Sequence, residues 1–115
     1  MALIIAFRVV GDVTVLDLSG KITLGEGSVQ LRDAIRGLIS KGVRNILLNL
    51  EQVNHIDSSG LGELVSAYTA ARNQHGEVKL LNPAKKIYEL LQLTKLSTVF
   101  DIRDDQVSAI ASFNR

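Results

Sequence analysis

The sequence predicts a single-domain α/β fold, a mixed β-sheet packed with helices in the order β-β-α-β-α-β-α-β-α. Short apolar runs, typical of strands, alternate with segments whose apolar residues recur every three or four positions, as on one face of a helix. The first two runs are separated only by Gly11-Asp12, which is typical of a hairpin. Alternating strands and helices imply parallel crossovers, so the hairpin adds one antiparallel strand to a parallel sheet.

Three segments in the first half of the chain are predicted to be strands. They cover residues 3–10, 13–19 and 46–50. Gly20 ends the second strand, and the third is apolar without alternation, which predicts that both of its faces are covered. Thr23 and Glu26 match a capping box, with Thr23 as the N-cap of the intervening helix, and Gly42 follows the end of that helix.

The second half continues the alternation. A second helix begins near Leu61 and ends at His75-Gly76. The remaining elements are a strand over residues 78–81, a third helix opening at Asn82-Pro83, a short strand over residues 99–102, and a terminal helix whose apolar side is marked by Val107, Ile110 and Ala111.

Size and composition exclude several classes of protein. The 115 residues fit one domain, residues 1–115, with 46 % apolar residues and a single proline. A net charge of +1 and only 4 % aromatic residues argue against nucleic-acid binding. The absence of cysteine excludes disulfides and thiol chemistry and fits a reducing compartment. The apolar start is too short for a membrane span, so we expect a soluble, cytoplasmic chain without membrane insertion.

The most informative motif is Asp57-Ser58-Ser59-Gly60-Leu61-Gly62, between a strand and a helix. Free backbone N–H groups and the helix dipole favour anions at a helix N-terminus, so a serine there could accept phosphate without disturbing the fold. One of the three polar residues could simply cap the helix. However, one cap needs one residue, and the two glycines weaken the first turn by about 1 kcal/mol each, which indicates that something approaches the backbone closely.

Catalytic interpretations of this motif find little support. The Gly-x-Ser-x-Gly elbow of serine hydrolases is absent, His55 is too near Ser58 along the chain for a triad, and His75 is expected at a helix end. Asp57 as the phospho-acceptor of a receiver domain would need further carboxylates for Mg²⁺. The phosphate-binding and dinucleotide-binding glycine motifs are also missing. We therefore predict a protein that is not an enzyme, with no catalytic residue and no metal site.

The chain resembles STAS domains of the anti-sigma factor antagonist type over essentially its whole length. The resemblance rests on the order of elements, on the motif at residues 57–62, on Gly20-Lys21-Ile22, and on Asn49-Leu50 followed by Val53 and Ile56. It implies a switch by partner exchange. The unmodified antagonist binds an anti-sigma factor, usually an ATP-dependent serine kinase, and so releases a sigma factor for transcription. Phosphorylation by that kinase ends the complex, and a PP2C-type phosphatase restores the hydroxyl.

The resemblance also implies roles for particular residues. Ser58 is the phosphorylation site, with Ser59 as the less favoured alternative. The predicted partner-binding residues are Asp57, Ser59, Gly60, Leu61, Lys21 and Thr23. Family members commonly carry an acidic residue where this chain has Thr23. No cofactor is expected on this chain, since ATP and Mg²⁺ belong to the partner kinase, and we expect a monomer or weak dimer.

Two other hypotheses remain open. The chain could be a non-phosphorylated STAS scaffold subunit of a lipid-transport complex or another signalling assembly, in which case Ser58→Asp would not affect binding. An enzyme using Ser58 as a nucleophile is the least favoured hypothesis, and labelling by a serine-reactive probe would revive it. The phosphorylation hypothesis requires that at least one hydroxyl of Ser58 and Ser59 is reachable from outside.

Overall fold

A five-stranded mixed sheet forms the centre of the fold in the computed structural model, which describes residues 3–113. The strands are β1 (Leu3–Val10), β2 (Val13–Ile22), β3 (Asn45–Ile56), β4 (Glu77–Leu81) and β5 (Ile102–Arg103). The helices are α1 (Glu26–Ser40), α2 (Ser58–Asn73), α3 (Lys85–Leu93) and α4 (Gln106–Ala111), with a 3₁₀ turn at Leu96–Thr98. The predicted α/β class and the predicted order of elements are confirmed.

Each strand pairs with its neighbours in sequence, so the sheet order is β1-β2-β3-β4-β5. The hairpin partners β1 and β2 are antiparallel, and β2 to β5 are parallel to one another. Right-handed crossovers place α1, α2 and α3 on the same face of such a sheet. Their buried side chains meet those of the sheet in the larger core, which includes Leu31, Ile35, Leu64, Ile87 and Leu91 from the helices and Leu16, Leu18, Ile46, Leu48 and Leu80 from the strands.

The opposite face of the sheet packs against the C-terminal helix in a smaller core. This core contains Val13, Val15, Leu47, Leu81, Ala109 and Phe113. Neighbouring residues of β3 therefore enter different cores, Leu48 the larger and Leu47 the smaller, which confirms the prediction that this strand is covered on both faces. Within residues 3–113, none of the helices combines the length and the apolar character needed to cross a bilayer.

A buried lysine fastens the C-terminal segment to the sheet. Lys79 of β4 is only 3 % exposed. Its Nζ donates hydrogen bonds to the carbonyl oxygen and the Oγ of Ser112, at 3.0 and 2.8 Å, and lies 3.1 Å from a carboxylate oxygen of Asp101. The ammonium also lies 4.8 Å from the centroid of the Phe113 ring, within the range of a cation–π interaction. These contacts satisfy the buried charge and hold the chain after α4 against the sheet.

The predicted end of β3 is wrong, because the strand continues for six residues beyond Leu50. From Leu50 onward every third residue is buried, namely Leu50, Val53 and Ile56, and the two residues between successive buried ones are exposed. The spacing of three arises because the pairing with β2 shifts register between Asp17 and Ser19 and again between Gly20 and Lys21. Each irregularity changes which side chains face the core, so the alternation expected of a strand is lost.

Other boundaries move as well. The second strand continues through Gly20 to Ile22, and α2 begins at Ser58 rather than near Leu61. The third helix starts at Lys85 rather than directly after Asn82-Pro83.

The predicted fifth strand and the apolar side of the last helix also need correction. Of residues 99–102 only Ile102 lies in β5, because the 3₁₀ turn precedes it and Phe100 turns into the larger core. In α4 the buried residue is Ala109, whereas Val107 is exposed.

We predict that Lys79→Ala lowers the free energy of unfolding by about 2–3 kcal/mol. The substitution removes the buried ammonium that donates hydrogen bonds to Ser112 and forms an ion pair with Asp101. Denaturant unfolding of the purified chain measures this change. Lys86→Ala, which removes an exposed lysine, serves as the matched control and should change the free energy of unfolding by less than about 0.5 kcal/mol. Equal effects of the two substitutions would contradict the structural role of Lys79.

Candidate functional site

The motif at residues 57–62 lies where β3 ends and α2 begins, and Asp57 joins it to the neighbouring loop. One carboxylate oxygen of Asp57 accepts a hydrogen bond from the backbone N–H of Gly60 at 3.0 Å, which makes Asp57 the N-cap of α2. The other oxygen accepts from the backbone N–H of Leu24 at 2.9 Å. One side chain thus ties the start of α2 to the loop between β2 and α1.

The same two amides control the charge of this carboxylate. Hydrogen bonds from the N–H groups of Leu24 and Gly60 stabilise the ionised form and hold the pKa of Asp57 below its ordinary value. The helix dipole acts in the same direction, because the N-terminus of α2 carries partial positive charge. Asp57 is therefore a fixed negative charge at the helix start.

Ser58 is the first residue of α2, and its side chain is exposed. Its hydroxyl takes part in none of the side-chain hydrogen bonds found among residues 3–113. Asp57 already caps the helix, so capping does not account for the serine that follows it. The hydroxyl is free to react with or contact another molecule.

Ser59 has a different position, although it is the next residue. It is half-buried, and its Oγ lies 2.9 Å from the Oγ of Ser28 in α1. Ser28 is buried and donates its own proton to the carbonyl oxygen of Thr23, at 2.9 Å, so Ser59 is the donor to Ser28. The hydroxyl of Ser59 thus holds the first turns of α1 and α2 together.

The glycines of the motif also differ from each other. A Cβ at Gly60 would overlap the carbonyl oxygen of Ile22 and the side chain of Ile56, so only glycine fits there. The close approach that we predicted is therefore made by the end of β2, within the chain itself. A Cβ at Gly62 would meet nothing within 4 Å. Gly60 and Leu61 are both buried and have little surface to offer a partner.

The loop between β2 and α1 forms the other side of the site. The predicted capping box is wrong, because α1 begins at Glu26 with Gly25 as its N-cap and without a side-chain cap. Thr23 is half-buried and contributes its carbonyl oxygen, which accepts from both the N–H and the Oγ of Ser28. A positive φ of 95° at Gly25 lets the chain turn into the helix, a conformation that glycine adopts easily.

Two exposed side chains flank the motif, one at the end of β2 and one in this loop. Lys21, one of the predicted contact residues, points outward at the end of β2. Leu24, which the sequence analysis did not select, is 81 % exposed although it is apolar. No sequence pattern distinguished Leu24 from a core residue. The site therefore consists of an exposed hydroxyl, a fixed carboxylate, a lysine and an apolar side chain.

Neither histidine is placed to activate Ser58. His55 is exposed on β3, three residues before Ser58, and takes part in none of the side-chain hydrogen bonds within residues 3–113. His75 follows α2 in a left-handed conformation with φ of 62°, which confirms the prediction of a helix-end residue. The sixteen residues of α2 separate Ser58 from His75 by about 24 Å.

Comparison with known proteins identifies the fold family of this site. The family model described as STAS domain matches residues 5–109. The chain belongs to the STAS domain family. This finding confirms the resemblance proposed from the sequence and places the motif at residues 57–62 in a STAS domain.

Similar proteins carry related names. An anti-sigma-B factor antagonist of Bacillus subtilis is 29 % identical over 87 residues, which cover 76 % of this chain and 78 % of the relative. A Thermotoga maritima protein described as a candidate anti-sigma factor antagonist has a crystal structure that matches with a TM-score of 0.90 at 26 % identity, covering 96 % of this chain and 95 % of that one. The Bacillus cell fate determinant SpoIIAA in its phosphorylated form matches in fold, with a TM-score of 0.74 at 23 % identity over 95 % of this chain and 98 % of that one.

We predict opposite effects for alanine at the two glycines of the site. Gly60→Ala should lower the free energy of unfolding by about 3 kcal/mol, because the new methyl group collides with backbone at Ile22. Gly62→Ala, the matched control, should raise it by up to about 1 kcal/mol, because alanine favours the helix and meets no neighbour. Denaturant unfolding of both variants checks the prediction, which fails if Gly60→Ala is as stable as the parent.

Because the pKa of Asp57 is lowered in the folded state, the stability of the domain should depend on pH. The contribution of Asp57 to stability is complete above the ordinary aspartate pKa of about 3.9 and disappears as the pH falls through the lower pKa of the folded state. The amide of Asp57→Asn offers one acceptor oxygen in place of two, so it cannot accept from both Leu24 and Gly60. The variant should therefore unfold more easily than the parent at pH 7, and the difference should shrink below about pH 3. A constant difference between pH 7 and pH 2 would refute this assignment.

Proposed function

We propose that this STAS domain is an anti-sigma factor antagonist that acts in the cytoplasm. In its unphosphorylated form it binds an anti-sigma factor of the serine kinase type, and phosphorylation of Ser58 releases it, so that it regulates sigma-factor-dependent transcription. The observation that carries the proposal is the exposed hydroxyl of Ser58 at the N-terminus of α2, which has no internal role because Asp57 caps the helix.

The geometry supports Ser58 rather than Ser59 as the acceptor. A kinase must bring the γ-phosphate of ATP to the hydroxyl, and the hydroxyl of Ser58 is exposed. The hydroxyl of Ser59 is engaged with Ser28 between α1 and α2, so its modification would separate the two helices. Phosphorylation of Ser58 breaks no hydrogen bond found among residues 3–113.

A phosphate on Ser58 would change the surface more than the fold. It adds a charge of about −1.5 to −2 at neutral pH. The dipole of α2 stabilises that charge at the helix start. A partner, in contrast, would meet a dianion directly beside the ionised carboxylate of Asp57, in an interface shaped for a small neutral hydroxyl. Burying such an unpaired charge costs about 3–5 kcal/mol, which is enough to end most complexes of moderate affinity.

The contact surface in this proposal surrounds Ser58. It comprises Lys21, Thr23, Leu24, Asp57 and Ser59. Leu24 supplies an exposed apolar side chain that a partner would cover, and Lys21 supplies a positive charge at the end of β2. Gly60 and Leu61 support this surface from below, since both are buried.

The relatives support the same reading. The Bacillus subtilis relative is named for antagonism of an anti-sigma-B factor. SpoIIAA has structures in the unphosphorylated and phosphorylated forms, and both have the fold of this chain, with TM-scores of 0.72 and 0.74. A fold present in both states of that protein agrees with a switch that changes a surface charge and leaves the domain intact.

In this scheme the chemistry belongs to the partners. The kinase binds ATP and Mg²⁺, and a PP2C-type phosphatase hydrolyses the phosphoserine, so this chain acts as substrate and ligand and needs no cofactor of its own. Its residues present the hydroxyl of Ser58 and hold the adjacent charge of Asp57 in place.

The decisive experiment tests serine kinases of the anti-sigma factor type from the source organism, each in turn. After incubation with the kinase, ATP and Mg²⁺, mass spectrometry should find one phosphate on Ser58. Ser58→Ala should abolish incorporation and leave the fold unchanged, and Ser66→Ala, which removes another exposed serine of α2, should leave incorporation at the parent level. Calorimetry with the same kinase should show that Ser58→Asp weakens binding at least about tenfold, whereas Ser66→Asp does not.

Two outcomes would overturn the proposal. Phosphate found at neither Ser58 nor Ser59 would remove the switch. Tight binding that is the same for the parent and Ser58→Asp would favour the alternative of a non-phosphorylated STAS scaffold.

A further inference from the structure

The outer edge of the sheet lacks the features that usually protect an edge strand. Among the described residues β1 pairs only with β2, in a continuous register from Leu3 to Val10. It contains no proline and no bulge, and its one charged residue is Arg8. The Arg8 guanidinium is held by Asp17 at 2.6 Å and by Gln106 at 2.7 Å. Exposed lysine, proline or a bulge is what normally prevents another strand from pairing with such an edge.

One side of this edge also exposes large apolar side chains. Phe7 and Val9 are 54 % and 72 % exposed, on the face of β1 that carries α1. They line a groove of about 450 Å³ between β1 and α1. The α1 side of the groove presents Asp33, Ala34, Gly37, Leu38 and Lys41.

The charges on that side are arranged symmetrically. Asp33 and Gly37 of α1 and Lys41, the C-cap directly after the helix, follow one another at four-residue intervals, so they lie along one side of the helix. The two charges are opposite in sign and lie four residues on either side of Gly37, where a Cβ would meet nothing within 4 Å. If a second copy of α1 runs antiparallel across a twofold axis near Gly37, each Asp33 faces the partner's Lys41. The groove is therefore complementary in charge to itself, as a twofold interface requires.

We propose that two copies of this chain associate through the β1 edge and the flanking side of α1. The two β1 strands pair antiparallel about Phe7, and the two five-stranded sheets become one continuous sheet. In this register Ile5 pairs with the partner's Val9 and Ala6 with the partner's Arg8. Both exposed apolar residues of the groove are covered, and no like charges are opposed.

This association leaves the site at Ser58 open. The site follows β3, which lies two strands inward from the β1 edge. Because the paired β1 strands are antiparallel, the two copies of Ser58 point to opposite ends of the joined sheet. Each copy of the chain can then bind its own partner, and dimerisation does not depend on phosphorylation.

Sedimentation equilibrium of the purified full chain over a range of concentrations tests the proposal. The parent should show a concentration-dependent dimer. Asp33→Lys and Lys41→Asp should each weaken the dimer about tenfold, because each single change places like charges opposite each other twice across the axis. The double variant with Asp33→Lys and Lys41→Asp should recover the affinity of the parent, since it restores opposite charges with their positions exchanged.

Two further variants separate the β1 edge from general surface effects. Val9→Lys should abolish the dimer, because it places a charge on the pairing strand. Leu93→Lys changes a side chain that is 80 % exposed on α3, away from the edge, and should leave the dimer unchanged. A chain that stays monomeric up to about 1 mM would overturn the proposal. So would a double charge exchange that fails to recover the dimer, or an equal loss of the dimer in Leu93→Lys.

Discussion

The carboxylate of Asp57 organises the site because it binds two backbone segments that are far apart in sequence. One oxygen accepts a hydrogen bond from the N–H of Gly60, and the other accepts one from the N–H of Leu24, which lies 33 residues before Asp57. A helix start and a loop that would otherwise move independently are thus held at a fixed distance. The positions of Leu24 and of the hydroxyl of Ser58 depend on this bridge. Its geometry needs both oxygens of a short carboxylate, which explains why the residue is aspartate.

Around this bridge, the adjacent residues Ser58, Ser59 and Gly60 have separate structural roles. The packing of α1 on α2 is held by the hydroxyls of Ser59 and Ser28, and the close approach of β2 requires Gly60. Ser58 takes no part in either, so a change of its charge is transmitted to whatever lies outside rather than to the core. The proposed phosphorylation switch would need such a rigid support, since a flexible one would absorb the added charge by moving.

The sequence predicted the fold well wherever apolar periodicity was regular, and it failed where the sheet is irregular. The run at residues 46–50 identified a strand covered on both faces, but Leu50, Val53 and Ile56 carry a spacing of three that register shifts against β2 produce. No local sequence pattern predicts such a register shift. The cap at Thr23 failed for a related reason, since the carbonyl rather than the side chain is used, and the partners of buried Lys79 come from elements distant in the chain. The site motif itself was predicted because its signals are local: short polar side chains, glycines and a helix start.

The loop residue Thr23 has a consequence for how such proteins diversify. Its backbone carbonyl carries the structural contacts to Ser28, while its side chain caps no helix. The identity of the side chain can therefore vary without rebuilding the loop. If the proposed partner contacts this loop, a different residue at position 23 would change the surface that the partner meets and leave the support beneath it unchanged.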